Sequence, residues 1–541
     1  MTSTTLSFQL VPHSSALFLD YLYRFERVSG FYGAEPYQSS SYQSVATGLA
    51  RLEWQREEVC ATLLRQNQAF GCGELTLENV RRLRQGGTLA VVTGQQVGLF
   101  GGPAFTISKA MTTVRLATHL TEQGLVCVPI FWLATEDHDL AEVAEVGTLD
   151  EEYNLIALTD RGDSPSPRAP VGNVRLTDQC TQALAQLESC LPAGPPREAL
   201  LRDLRETYTP GATWADAFGR FLARLLSRWG VILLDPLDPA IHRLSARIYG
   251  QALEQAPQLR EKLMARSQLL VRSGYHAQVR VGEDSTLLFL ARQGDRVPVQ
   301  QLEGGYFLDR AESIRLEELR AELAGNPIAF SPNVLLRPLV QDALLPTLAY
   351  VAGPSELAYL AQAQVLYAEF GRPQPVLFPR AAFTLLDHRV LRWLEKYRVS
   401  LEDAWLGEEN LQVKMASVAL PEGWSQRFQQ AQQELLSLFA RLHADIEQID
   451  PTLLEALKNT QEKVTYQMDR LRARVSRAGL ARSELLVRHA QALSRFLTPQ
   501  KDLQERRVAA AYFLGRAGYE LLDRLLSQIP LDSPGHQIAQ L

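Results

Sequence analysis

The densest group of reactive side chains in the sequence is Thr135-Glu136-Asp137-His138-Asp139, with Glu142 and Glu145 just beyond it. Carboxylates flanking an imidazole can hold a substrate ammonium, bind magnesium or keep His138 charged. Imidazole also titrates near neutrality, the range a general base needs. The same acids would equally suit a solvated helix start, where they meet the helix macrodipole. A second group lies in VVTGQQVGLFGGPAFTISKAM, Val91 to Met111, which contains Thr93, Gly94, Gln95, Gln96, Gly98, Gly101, Gly102, Thr106 and Lys109. An apolar strand, a glycine-rich loop and a helix start in succession present backbone N–H groups to an anion. Lys109 is the only lysine before Lys262, and a compact ammonium beside such a loop suits phosphate or carboxylate. The competing reading of this stretch is a buried crossover turn with a solvated lysine. A third group comprises Arg337, Gln341, Asp342, Gly353, Glu356, Tyr359 and, further on, Arg380. Arginine pairs bidentately with carboxylates, so Arg337 and Arg380 are candidate carboxylate grips.

These groups need a scaffold that brings distant segments together. Thr88–Val92, Leu125–Ala134, the LAYVAG run after Pro346 and PVLFPRA from Pro375 are continuous apolar stretches, as is GVILLDPLDP from Gly230. Strands buried on both faces of a parallel sheet read this way. Helical patterns between them make right-handed βαβ crossovers. The expected fold class is α/β: a Rossmann-like parallel core over residues 1–400, with inserted segments at about 150–228 and 265–325. The second insertion alternates like an antiparallel patch in HAQVRV and TLLFLA. In such sheets ligands bind beyond the strand carboxyl ends, where all three polar groups fall.

Past Ser400 the pattern changes. Apolar residues at Phe428, Ala431, Leu435, Leu438, Leu442, Ile446 and Ile449, then Leu453, Leu457, Val464, Met468, Leu471 and Val475, keep a three-four spacing. Asp450-Pro451 between them reads as a helix cap. This predicts an antiparallel coiled-coil hairpin arm within 401–498, roughly 40 Å long at 1.5 Å per residue. Residues 499–541 are expected to pack back on the core as a helical tail.

Composition narrows the function. A net charge of −6 disfavours a general nucleic-acid or membrane-surface binder. No apolar run reaches membrane-spanning length, and the start resembles no signal peptide. Five cysteines without a CxxC pair fit free thiols in the cytoplasm and disfavour a zinc site, as the nine scattered histidines disfavour a multi-histidine one. P-loop, GxGxxG, HExxH and GxSxG patterns are absent.

The blocks TGQQVGLFGGPAFTISK, VPIFWLATEDHD, SPNVLLRPLVQDALLPTLAYVAGPSELAY, VLFPR and FLTPQKDLQERR occur in one order over nearly the whole chain. Through them the sequence resembles the bacillithiol biosynthesis cysteine-adding enzyme family (BshC). The resemblance implies a Rossmann-like core similar to class I aminoacyl-tRNA synthetases, two connecting insertions and a coiled-coil arm used in dimerisation. It also implies a ligase joining cysteine to the amine of glucosaminyl-malate, the last step toward bacillithiol. ATP, with Mg2+ alongside it, is the implied cofactor, although the HxGH and KMSKS patterns of the synthetases are absent. On this reading the loop Thr93–Gly102 and Lys109 bind phosphate or carboxylate. Glu136, Asp137, His138 and Asp139 hold and deprotonate the amine, while Arg337 or Arg380 grips the malyl carboxylates. The expected partners are these small molecules and a second copy of the chain. Two further readings stay open: a related ligase or nucleotidyl-transfer enzyme, and a non-catalytic nucleotide-binding scaffold.

Overall fold

The computed structural model describes residues 4–302, 305–309, 312–419, 423–480 and 484–541. Five parallel strands form the central sheet: β1 (Leu89–Gln95), β2 (Cys127–Leu133), β3 (Ile232–Leu234), β4 (Thr347–Ala352) and β5 (Val376–Pro379). Their spatial order is β5-β4-β1-β2-β3, and each neighbouring pair is parallel. All seven residues of β2 are buried, as helices on both faces require. The chain leaves β1 toward β2 on one side and returns to β4 on the other. The crevice between the carboxyl ends of β1 and β4 is therefore the topological switch point, where doubly wound sheets bind ligands.

Four helices matter for the site: α1 (Phe105–Glu122), α2 (Pro239–Glu254), α3 (Arg337–Leu344) and α4 (Pro354–Glu369). Asp238 caps α2 by accepting from the Ala240 N–H, with Pro239 in the first turn. Gly353 occupies the cap position of α4, again followed by proline.

Between β2 and β3 the chain forms an antiparallel pair, Glu145–Leu149 with Leu155–Thr159, and then the helices Gln179–Cys190, Pro195–Thr207 and Trp214–Leu226. Between α2 and β4 it builds a five-stranded antiparallel sheet. TLLFLA lies in one of its strands, Ser285–Arg292, paired with Asp295–Leu302. HAQVRV, expected to be a strand, is irregular instead. Its Val279 N–H is taken by the side chain of Gln362 on α4 rather than by a neighbouring strand.

The arm comprises α5 (Trp424–Ile449) and α6 (Leu454–Leu480), with Asp450 accepting from the Thr452 N–H at the tip. Phe428, Phe439 and Leu457 are buried, whereas Leu438, Leu442 and Leu471 are 39–50% exposed. The apolar stripe is thus wider than one hairpin seam and leaves part of itself facing outward. Beyond the arm, Glu505 sits buried against Arg380, and His536–Gln540 pairs in parallel with Ala382–Leu386.

Candidate functional site

A cavity of about 570 Å³ opens at the switch point, lined from the carboxyl ends of β1, β2 and β4 and roofed by the antiparallel insertion. Of the residues singled out from sequence, Gly94, Gln95, Gln96, Lys109, Glu136, Asp137, His138, Arg337, Gly353, Glu356, Tyr359 and Arg380 all line it. These side chains come from positions nearly three hundred residues apart in the chain.

The glycine loop does not serve as an anion cradle. Gly98, Gly101 and Gly102 are buried in the protein. The Gly98 N–H is donated to the Gln96 carbonyl, that of Gly101 to the Tyr208 hydroxyl at 2.9 Å, and that of Gly102 to the Leu99 carbonyl. A Cβ on Gly98 would lie 2.8 Å from the Gly102 Cα, so glycine is needed here for backbone packing. Thr93 and Thr106 also lie behind the cavity rather than on it. The Thr93 hydroxyl ties β1 to β4 by donating to the Val351 carbonyl, and Thr106 is fully buried.

Lys109 is likewise committed within the protein. Its ammonium donates to the Gly94 carbonyl at 2.8 Å and Gln95 Oε1 at 3.1 Å, and it pairs with Glu356 Oε2 at 2.5 Å. Three donors meet three acceptors, so none is left over for a phosphate. Burial pushes the ammonium below its ordinary value, and Glu356 opposes that shift. Glu356 in turn accepts from the Tyr350 hydroxyl and the Gly353 N–H. The ammonium and the N–H groups of Gly98, Gly101 and Gly102 are therefore committed within the protein and do not form a cradle for a triphosphate.

Arg380 is also spoken for, in a buried pair with Glu505 at 2.7 Å. Gln341 and Asp342 stand behind Arg337 rather than on the cavity wall. Gln341 accepts from Arg337 at 3.1 Å and donates to Asp342, which also accepts from the Tyr367 hydroxyl. Asp139 is exposed and caps the short helix Leu140–Val143 by accepting from the Glu142 N–H. Asp137 receives the N–H groups of His138 and Asp139, so it shapes the turn. Glu142 faces the cavity and accepts from Gln96 at 2.9 Å. Burial, with Asp137 and Asp139 nearby, raises its carboxyl above the ordinary range. Among the described residues no group of three or more His, Cys, Asp or Glu side chains is arranged to hold a metal ion.

Of the four guanidinium groups lining the cavity, two have no carboxylate within 4.0 Å among the described residues, whereas Arg380 and Arg506 pair with Glu505 and Asp502. Arg337 donates to Gln341, to Tyr350 at 3.4 Å and to Tyr359 at 3.5 Å, and lies over the Trp132 and Tyr350 rings. Burial works against its charge, but the two tyrosines and Glu356 hold the guanidinium above its ordinary value. The other is Arg296, on the strand Asp295–Leu302 of the inserted sheet. It donates to the Ser331 hydroxyl, the Pro332 carbonyl and Nδ1 of His138, the last at 3.2 Å, and lies over the Phe289 ring. A guanidinium can only donate, so His138 accepts at Nδ1 and carries its proton on Nε2. Burial and Arg296 together lower the imidazole below its usual range, against Asp137 and Asp139. His138 is therefore a neutral donor toward the cavity, not the charged group or free base expected from its acidic neighbours.

The group with base character is Glu136. It is 7% exposed, and its Oε1 accepts no hydrogen bond. Burial raises its carboxyl, with His242, Arg296 and Arg337 opposing. Arg296 and His242 were not singled out from sequence. Arg296 sits in DRVPVQQL, where a period-two strand pattern with an inward arginine is a faint signal. His242 follows the DPLDP turn after β3, a position at a strand's carboxyl end that could have drawn notice.

Fold and site together define a Rossmann-like α/β protein with a coiled-coil arm and an arginine-rich switch-point cavity. Comparison with known proteins carries the assignment further. Residues 1–381 match the family model described as bacillithiol biosynthesis BshC, N-terminal Rossmann-like domain. Residues 383–541 match the BshC C-terminal coiled-coil domain. The chain is 39% identical to "Putative cysteine ligase BshC" of Koribacter versatilis over 95% of its own length and 96% of the relative's. Proteins of the same name from Solibacter usitatus and Salinibacter ruber are 33% and 32% identical, each over at least 95% of both chains. The chain belongs to the BshC family.

Proposed function

We propose that this protein is an amide-bond-forming ligase that adds L-cysteine to the amine of glucosaminyl-malate in the last step of bacillithiol biosynthesis. One observation carries the reading at the level of the site. A single cavity presents two guanidiniums without carboxylate partners and one buried carboxylate with a bare oxygen. That set complements a molecule with carboxylates at one end and an amine at the other. Arg337 and Arg296 receive the malyl carboxylates. Glu136 takes a proton from the ammonium, leaving the nitrogen lone pair free to attack the carbonyl of a cysteine whose carboxyl carries an activating group; the N–C bond forms as the bond to that group breaks and the group departs with its electron pair. His138, through its Nε2 N–H, holds a substrate oxygen. Trp132, Tyr350 and Phe289 wall the cavity and exclude water from the reacting atoms. Lys109 acts as a brace that fixes Glu356 and the end of β1.

The protein works as a homodimer in the cytoplasm, joined through the arm. The apolar residues left outward on α5 and α6 support that arrangement, since a second hairpin would bury them. The ligase reading is tested by incubating the purified protein with cysteine, glucosaminyl-malate and ATP–Mg2+ and following the product by mass spectrometry. Bacillithiol is expected from the wild type, with a rate about 100-fold lower or worse in E136Q. No product from the wild type overturns the proposal.

A further inference from the structure

Behind Glu136, away from the cavity, lies a histidine that the ligase reading does not use. His242 on α2 is 3% exposed, and its Nε2 faces Glu136 Oε1 at 3.8 Å. Its other nitrogen, Nδ1, is 2.9 Å from the Phe330 carbonyl on the edge strand of the inserted sheet. A carbonyl only accepts, so Nδ1 carries a hydrogen and donates it. In the neutral ring Nε2 is then a bare lone pair. It confronts a carboxylate oxygen that itself has no hydrogen-bond partner. Two bare acceptors facing each other in a buried site leave a seat for one proton between them.

We propose that His242 is a positioning residue that holds Glu136 and takes over the proton Glu136 removes from the substrate amine. The inference rests on the ligase reading for the identity of that amine. The step is a proton transfer alone. An N–H bond of the substrate ammonium breaks and its electron pair stays on nitrogen. The proton passes to Glu136, and a small side-chain rotation that closes the 3.8 Å gap delivers it to Nε2. The resulting imidazolium is held by the Glu136 carboxylate on one side and the Phe330 carbonyl on the other, and the proton passes back through Glu136 to solvent when product leaves the cavity. The relay frees Glu136 to act as a carboxylate again while the bond forms.

Charged and titratable groups reach this pair from every neighbouring element. Arg296 from the inserted sheet and Arg337 from α3 favour the Glu136 carboxylate. Asp235 at the end of β3 and Tyr249 on α2 are also within electrostatic range of Glu136.

The test is H242N, whose side-chain amide can still donate to the Phe330 carbonyl but cannot carry the proton. The protonated carboxyl stretch of Glu136, assigned by its loss in E136Q, is titrated by infrared difference spectroscopy in the full chain. In the wild type the first proton to reach the pair takes the seat on His242, so the Glu136 carboxyl forms only when a second arrives; H242N lacks that seat, and the midpoint is expected to rise by about one pH unit or more. In turnover, kcat is expected to fall about 100-fold while KM changes less than about twofold, and the acid limb of the kcat profile moves with the carboxyl midpoint. Should H242N fail to fold, H242Q is measured in the same way. Coincident carboxyl midpoints in wild type and variant overturn the relay whether or not the protein turns over. Absence of product from the wild type, by contrast, removes the ligase reading and leaves the infrared titration to decide the pair.

Discussion

Replacing Lys109 with methionine separates a brace from an anion-binding lysine. The ammonium is 3% exposed and makes three contacts: to the Gly94 carbonyl, to Gln95 and, at 2.5 Å, to Glu356. Removing one partner of a buried ion pair costs about 3–5 kcal/mol, because the other charge is left without compensation. Glu356 would keep the Tyr350 hydroxyl and the Gly353 N–H, which places K109M near the lower end, about 3 kcal/mol. In K109M/E356Q no buried charge is stranded, and the loss should shrink to roughly 1–2 kcal/mol. The double-mutant cycle then gives a favourable coupling of about 2 kcal/mol or more. Urea unfolding followed by tryptophan fluorescence measures it, with Trp132 at the cavity wall as an internal reporter. A K109M protein as stable as wild type, with weakened binding of phosphate or nucleotide, would refute the brace and restore the anion-binding role.

Three further outcomes follow from the same geometry. R337A should raise KM for glucosaminyl-malate about 10- to 100-fold with a smaller change in kcat, since a charge-assisted grip contributes about 1.5–3 kcal/mol to ground and transition states alike. Steady-state kinetics at varied glucosaminyl-malate decides this, and an unchanged KM removes Arg337 from the carboxylate grip. Glu505 bonds Arg380 and the Phe383 N–H across the junction of the two family domains; burial works against its charge, but these partners hold its carboxyl below the usual range. Its folded value lies below its unfolded value of about 4.3, so its stabilisation is full above that value and fades as pH falls through the folded one. E505Q should therefore lose about 3–5 kcal/mol at about pH 7, and its deficit relative to wild type should narrow in acid; a deficit that is constant with pH argues against the pair. Finally, the triple variant L438D/L442D/L471D should sediment as a monomer in analytical ultracentrifugation where the wild type sediments as a dimer; an unchanged dimer would place the interface away from these residues.

The parallel core was readable from the sequence because strands buried on both faces leave continuous apolar runs, and Leu125–Ala134 is one. The arm was readable because its apolar spacing extends over many turns, although which leucines face the partner helix was not. Phe439 rather than Leu438 is buried, since one hairpin seam takes only part of a wide stripe. The site was half legible. The strand end placed Glu136 and His138 at the crevice, which Arg337 reaches from the start of α3, but a glycine loop that serves backbone packing carries the same letters as one that cradles an anion. Which it does depends on Tyr208, more than a hundred positions away. Arg296 and His242 were missed for the same reason. Their meaning comes from the inserted sheet folding over the cavity, a tertiary fact with only a faint local signature.

The central claim is that substrate lies in the switch-point cavity with its carboxylates on the two unpaired arginines and its amine at Glu136. A crystal structure with glucosaminyl-malate bound tests it most directly. The account predicts malyl carboxylate oxygens within hydrogen-bond distance of Arg337 and Arg296, and the amine nitrogen at Glu136. Glucosaminyl-malate bound in the neighbouring cavity beside Lys501 and Arg507, with neither arginine in contact, would contradict it.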